Sequence, residues 1–399
     1  MDNPAPSTLR EAFFRHVAQT SLLPPGLVFS HAEGCELIDP DGRRYLDLIS
    51  GISVSSLGHG HPRVREAIHR QADRFLHVMV YGEFILSPQV ELASELTSLL
   101  PASLGSCYFT NSGSEAVEGA LKLAKRATGR TELVSFEKSY HGSTHGALSI
   151  GGAEWQKRAF RPLLPDVRQL PFNDLVALSN ISERTAAVIL EPIQAEAGVR
   201  VPDPGYLQAV RKRCDETGTL LLLDEIQTGM GRTGTLFRFE AEGIVPDVLI
   251  LGKAFGAGLP LAAFLASPQL MRTLAHDPVL GHITTFGGHP LSCAAALAGL
   301  QVTREDQLHQ RARVAGEQFM KRLKHSRILQ IRGEGLLLAL DLGSETLVQR
   351  LIPELAAHGI ISDWFLFAPD CLRIAPPLIL DESGIERACT TILDCLDAL

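Results

Sequence analysis

Two short apolar runs in the middle of the chain each end on residues able to do chemistry. Residues 220–223, LLLL, stop at Asp224 and Glu225, and residues 248–251, VLIL, stop at Gly252 and Lys253. Neither run alternates polar and apolar side chains, the pattern of parallel strands covered on both faces. Ligands of open α/β sheets sit outside the carboxyl ends of such strands, so the acid and the lysine are expected to face one crevice. A lysine there can form a Schiff base with an aldehyde. An aspartate can keep a pyridine nitrogen protonated so that the ring accepts electrons, and the pair therefore suits pyridoxal phosphate.

Other readings of the same stretch are weaker. LLLLDE resembles the strand of a phosphate-loop ATPase that ends on a magnesium-binding Asp. That motif needs a glycine where Asp247 stands and a Ser or Thr where Ala254 follows the lysine. Gly229-Met230-Gly231-Arg232-Thr233-Gly234 matches G-x-G-x-x-G, but five residues separate it from the strand and no helical period follows it. A buried strand with a solvated acid, or a surface lysine, remains the default for either run taken alone.

The elements around these runs decide the matter. Residues 106–110 read as a strand, followed by Asn111-Ser112-Gly113-Ser114-Glu115 and a helix from about Glu115 to Ala127 that ends at Gly129. Ser112-x-x-Glu115 has capping-box spacing, and the free N–H groups of such a helix start form an anion site. Residues 133–136 form a strand ending near Glu137, Ser139, Tyr140, His141 and Gly142, where an aromatic ring can stack on a flat cofactor. Residues 186–190 form another, ending at Glu191 and running on to Glu196. Five strands separated by helices thus end in polar groups suited to one site, and the alternation predicts an α/β fold with a mostly parallel sheet.

Helical patterning covers residues 8–18, 62–75, 87–100 and 205–216, and residues 28–48 read as a small β-meander turning at Asp39-Pro40-Asp41-Gly42. His59 and His61 lie in a glycine-rich bend without a carboxylate or cysteine at ligand spacing, so they are read as loop or core histidines and no metal site is expected. A small-residue helix (291–303), an amphipathic helix (307–325) and the strand patterns RILQIRGEGLLLALDL and CLRIAPPLIL give an α+β tail. Residues 1–50 are expected to form an N-terminal segment packed with the small domain. Residues 51–290 are expected to form the large domain, and residues 291–399 the small one.

Composition narrows the partners. The chain has 399 residues, long enough for a large domain with a smaller companion, and 45% hydrophobic content, ordinary for a globular enzyme. A net charge of −8 argues against nucleic acid. No apolar run reaches membrane-spanning length, and MDNPAPSTLREAFF lacks the basic start and apolar core of a secretory signal. Seven scattered cysteines without a C-x-x-C suit reduced thiols, and a cytoplasmic location is expected.

Taken together, GISVSSLGHGHP, FTNSGSEAVEGALKLAK, SYHGSTHGALS, EPIQAEAGV, LLLLDEIQTGMGRTG, LILGKAFGAGLPLAAF and TTFGGHPLSCAAA resemble the class III pyridoxal-phosphate aminotransferases. These include ornithine, acetylornithine, 4-aminobutyrate and other ω-aminotransferases, and the resemblance runs from about Gly34 to Leu380. It implies fold type I, the aspartate-aminotransferase fold, with pyridoxal 5'-phosphate as cofactor and a homodimer with shared active sites. Under it Lys253 bonds the cofactor and shuttles a proton, Asp224 pairs with the ring nitrogen, and Gln227 lies near the ring hydroxyl. Ser112, Gly113 and Ser114 match the phosphate cradle, and Thr285 matches a phosphate ligand donated across the dimer interface. Tyr140 and His141 occupy the ring-stacking pair, and Glu191 matches a glutamate near the cofactor. Arg373 matches the α-carboxylate-binding arginine, and Glu196 the glutamate that masks it while a terminal amine reacts.

The implied reaction is a ping-pong transfer from an amino donor, of the terminal-amine type, to a 2-oxo acid. The rival within the same family is a racemase, decarboxylase or aminomutase. Two positions depart from the ornithine and acetylornithine pattern. Ser143 stands where those members carry an arginine that grips a substrate carboxylate, a planar cation that a serine does not replace. Ile52 stands where ornithine enzymes carry a gating tyrosine, which makes the pocket more apolar. Lys157 and Arg161 are candidates for a substitute carboxylate contact, against the plainer reading of solvated helix charges.

Overall fold

The computed structural model describes residues 6–22 and 24–399; the first five residues of the stretch inspected for a secretory signal lie outside it. A seven-stranded sheet runs in the spatial order Ser106–Thr110, Ala262–Ala266, Val248–Leu251, Leu220–Asp224, Thr185–Leu190, Glu132–Phe136, Val167–Leu170. All neighbours are parallel except Ala262–Ala266, which runs antiparallel to both of its partners. The five expected strands are present. The two strands not marked by the sequence pattern are this antiparallel strand, which lies within the continuous apolar run after Lys253, and the edge strand Val167–Leu170, whose VRQL is short and interrupted by two polar residues.

Alternation along the strands builds two cores. Leu221, Leu223, Leu249 and Leu251 point into one cluster with Leu92, Leu96, Leu207 and Val210 of the helices Ser87–Ser98 and Tyr206–Thr217. Leu222, Val248 and Ile250 point into the other, with Ala120, Leu121 and Ala124 of the helix Gly113–Thr128. Each fully buried leucine or isoleucine stabilises the fold by about 1.5–3 kcal/mol, so the sheet ends are held firmly. In this register Asp224 lies opposite Ile250, which brings Lys253 just past the level of Asp224 at the adjacent strand end.

The C-terminal region has its own antiparallel sheet, in which Gln330–Glu334, Leu337–Asp341, Ala368–Ile374 and Trp364–Phe365 follow one another. The helices Leu308–Arg322, Glu345–Ala357 and Glu382–Ala398 contribute to its core. The first of these ends at Arg322 rather than at 325, because Leu323 leaves the helical region. The N-terminal meander His31–Glu33, Glu36–Ile38, Arg44–Asp47 is completed by Ile360–Ile361, which pairs with Arg44–Asp47 in parallel. The helix Pro290–Glu305 serves both regions. Cys293, Ala296 and Leu300 enter the sheet core, and Ala295, Ala298 and Val302 enter the C-terminal one, two faces of the same 3.6-residue period.

Candidate active site

Strand ends and the loops after them place the polar groups. After Ser106–Thr110, Ser112 is the N-cap, its Oγ accepting the amide of Glu115 at 3.3 Å, and the helix begins at Gly113, two residues earlier than expected. Glu115 reaches back to Asn111 rather than to Ser112, accepting its backbone and side-chain N–H at 2.9 Å each, so the capping box is displaced by one residue. The amides of Gly113 and Ser114 stand in the first turn, where no intrahelical acceptor exists. Ser114 Oγ shares a 2.7 Å hydrogen bond with Thr144 Oγ1 and accepts the Thr144 amide at 3.1 Å, tying the helix start to the loop after Glu132–Phe136. That loop passes through Gly142 at φ 123°, where a Cβ would lie 2.3 Å from Ser114 Oγ; only glycine fits.

Asp224 is buried and accepts from two sides. Its Oδ2 lies 2.7 Å from His141 Nδ1, and its Oδ1 accepts the Ile226 amide at 3.1 Å. Burial works to lower the His141 pKa, but the hydrogen bond and charge of Asp224 overcome it and raise it. Glu191 bridges two loops, accepting the Tyr140 amide at 3.0 Å and the Ala195 amide at 3.1 Å. Its burial pushes the carboxyl up to about 7. Lys253 donates to Gln227 Oε1, and burial lowers its pKa, which favours the neutral, nucleophilic amine. It sits in a left-handed backbone conformation, φ 47°, at the end of its strand.

These groups surround a cavity of about 480 Å³. Among the candidate residues, Gly113, Ser114, Tyr140 and His141 line one part of it, and Glu191, Asp224, Gln227 and Lys253 the rest. Ser112, Thr285, Glu196 and Arg373 do not line it. Ser112 is occupied by capping, and Thr285 is exposed on the surface. Glu196 and Arg373 pair with each other at 3.0 and 3.1 Å, buried beside Phe365. Lys157 donates to the Gly151 carbonyl at 2.8 Å and Arg161 pairs with Glu154, so neither is a lining cation. Three lining residues were not foreseen, Thr144, Ile226 and Thr228. Their only signal in the sequence was proximity to the motifs SYHGST and DEIQT.

The donor set fits pyridoxal phosphate. A helix start can take the phosphate, a buried acid the ring nitrogen, and a buried amine the carbonyl carbon. Two buried nitrogens, Gln227 Nε2 and His141 Nε2, have no hydrogen-bond partner among the described residues, as expected of groups aimed at a ligand. Fold and site together define a pyridoxal-phosphate-dependent enzyme of fold type I.

Comparison with known proteins gives the family. The model of the class-III aminotransferases matches residues 17–396, and the chain belongs to that family. It is 38% identical over 388 residues to the acetylornithine aminotransferase of Methanopyrus kandleri, covering 96% of this chain and 97% of that one. To the acetylornithine aminotransferase of Mycobacterium tuberculosis it is 42% identical over 378 residues, covering 93% and 92%. The crystal structure of ornithine aminotransferase from Toxoplasma gondii superposes with a TM-score of 0.91 at 30% identity, covering 100% of this chain and 96% of that one. Acetylornithine aminotransferase from Elizabethkingia anophelis gives 0.87 at 31%, covering all of both chains. The chain is thus a pyridoxal-phosphate-dependent aminotransferase, and no helix among its described residues is long and apolar enough to cross a membrane.

Proposed function

We propose that this aminotransferase takes the terminal amino group of an ornithine- or acetylornithine-like donor and passes it, in a ping-pong cycle, to a 2-oxo acid whose carboxylate is held by Arg373. The observation that carries the reading is the Glu196–Arg373 pair, a buried guanidinium masked by a carboxylate of the chain itself. Such a mask keeps the α-carboxylate site closed while a terminal amine reacts and opens it for a 2-oxo acid. When bound, pyridoxal phosphate supplies the carbonyl and the electron sink for the transfer. Gly113 and Ser114 would hold its phosphate, with Ser112 capping their helix, and Tyr140 and His141 would hold its ring. Asp224, supported by His141, would keep a ring nitrogen protonated, and Gln227 would serve the ring hydroxyl. Lys253, whose amine burial keeps nucleophilic, would be the residue that holds the cofactor covalently and carries a proton at its Nζ, and Glu191 orders the loops of Tyr140 and Ala195.

The same reading includes a homodimer in the cytoplasm, in which Thr285 serves the partner's phosphate, and a division of the chain near residues 50 and 290. Exposed Leu76, Phe84, Ile85 and Phe286 support the dimer, because an interface would take these large apolar side chains out of water. The His77–Phe286 ring contact at 4.9 Å joins the two loops that carry them. Ser143 leaves the wall beside Tyr140 without a cation, so a 2-oxo acid with a single carboxylate is favoured over a dicarboxylate.

The test is the visible spectrum of the holoenzyme with one donor at a time and no acceptor: L-ornithine, N-acetyl-L-ornithine, 4-aminobutyrate, a diamine and L-glutamate. Loss of the cofactor's visible band with a terminal-amine donor, followed by recovery with pyruvate more readily than with 2-oxoglutarate, is the expected result. A band that persists with all terminal amines and disappears only with L-glutamate overturns the donor class.

A further inference from the structure

Arg373 is held by more than the glutamate that masks it. A guanidinium has five N–H donors. The Nη1 and Nη2 edge meets the two oxygens of Glu196, at 3.0 and 3.1 Å. The opposite edge, Nε, donates to Asp363 Oδ1 at 2.7 Å, the shortest of these contacts. A second donor on Nη2 reaches the Trp364 carbonyl at 3.1 Å, and the Phe365 ring lies under the guanidinium at 4.1 Å. Backbone bonds fix Asp363 in register: the Arg373 amide donates to the Asp363 carbonyl at 2.8 Å, and Ser362 Oγ donates to the Arg373 carbonyl at 2.6 Å.

The two carboxylates therefore stand on different edges of one cation. A substrate carboxylate gripped by the Nη fork displaces Glu196 alone. We propose that Asp363 is a positioning residue for the carboxylate site: it clamps the Nε edge of Arg373, so that the fork exchanges Glu196 for a substrate carboxylate without the guanidinium moving. The inference rests on the reading of Arg373 given above. It explains why a cation with 2% of its surface exposed carries two acids: one is the exchangeable mask and the other the permanent anchor. Without the anchor, only the Trp364 carbonyl and the Phe365 ring restrain the planar fork, its Nε edge is unclamped, and a bidentate contact loses alignment.

The experiment compares Asp363→Ala, Asp363→Asn and Arg373→Ala holoenzymes. It measures acceptor KM, the rate of the donor half-reaction with an amine that lacks an α-carboxylate, and the Kd of unreactive propionate by calorimetry. Asp363→Ala is expected to raise acceptor KM and propionate Kd by about tenfold, the scale of one charge-assisted hydrogen bond, and to leave the donor half-reaction within about twofold. Asp363→Asn, which keeps an oxygen acceptor for Nε, is expected to restore both to within about threefold. The inference is overturned if Asp363→Ala changes neither quantity, or if both variants depress the donor half-reaction as strongly as they weaken carboxylate binding. If Arg373→Ala leaves acceptor KM unchanged, the carboxylate site itself is misassigned. If Arg373→Ala raises it and Asp363→Ala does not, only the anchor is lost.

Discussion

Asp224 and Glu225 are consecutive, yet their carboxylates meet opposite surroundings. Asp224 enters the cavity, whereas Glu225 turns into the protein and caps a bend, accepting the amides of Arg238 and Phe239 at 2.7 Å each. Burial pushes the Glu225 carboxyl up to about 7. The sign of its effect on stability follows from linkage. In the unfolded chain this acid loses its proton near the usual glutamate value, but in the folded protein it keeps the proton up to about 7. Between those values the folded state binds more protons, so stability falls as pH rises through that window. Glu191, also raised to about 7, acts in the same direction. Compared with wild type, the melting temperature of the Glu225→Gln holoenzyme is expected to shift upward as pH rises from 5 to 7.5, because the variant lacks this destabilising contribution. Equal slopes in scanning calorimetry would contradict the account. None of this was visible in the sequence, where LLLLDE shows two acids at a strand end without saying which of them turns inward.

At the scale of elements, close approach decides more than propensity. The helix Leu308–Arg322 crosses the hairpin turn at Gly335 so tightly that a Cβ on Gly316 would lie 2.0 Å from the Gly335 carbonyl oxygen. Backbone does not yield as a side chain does, and Gly316→Ala is expected to cost about 1–3 kcal/mol by overpacking, lowering the melting temperature by several degrees. A thermal scan showing no change would mean that the helix slides freely over the turn. The sequence announced the helices and strands that carry strong periodicity, and the two that hold Asp224 and Lys253 were the plainest because nothing polar interrupts them. It was silent where pairing is between distant segments. Arg44–Asp47 beside Ile360–Ile361, and the left-handed turn Ser50–Ser53 that carries Ile52 at φ 61°, follow from tertiary contacts and not from local pattern. The His141–Asp224 bond spans 83 residues, and the Asp363 contact lies in a short hairpin without a motif; both required the fold.

For the whole molecule, the question is what covers the face formed by the loops of Leu76 to Ile85 and Ile283 to Phe286. Ile85 is 92% exposed and Phe286 54%, next to Thr285, the candidate ligand for a neighbouring phosphate. Phe286→Asp places a charge in that face. On the homodimer proposed above, sedimentation is expected to shift from dimer toward monomer, with cofactor affinity falling in parallel, because each site would lose a Thr285 contributed across the interface. A variant that sediments as wild type and binds the cofactor equally well would remove this face from the interface.

The parallel pairing of Arg44–Asp47 with Ile360–Ile361 also has a consequence for how the chain is made. A ribosome delivers the first of these strands more than 300 residues before the second. At roughly 5–20 residues per second that interval is about 15–60 s. The large sheet is complete once residue 266 has emerged, so it can assemble during synthesis, while the N-terminal meander waits with an unpaired edge. Nascent chains of this enzyme are therefore expected to need shielding at their oldest end, not their newest.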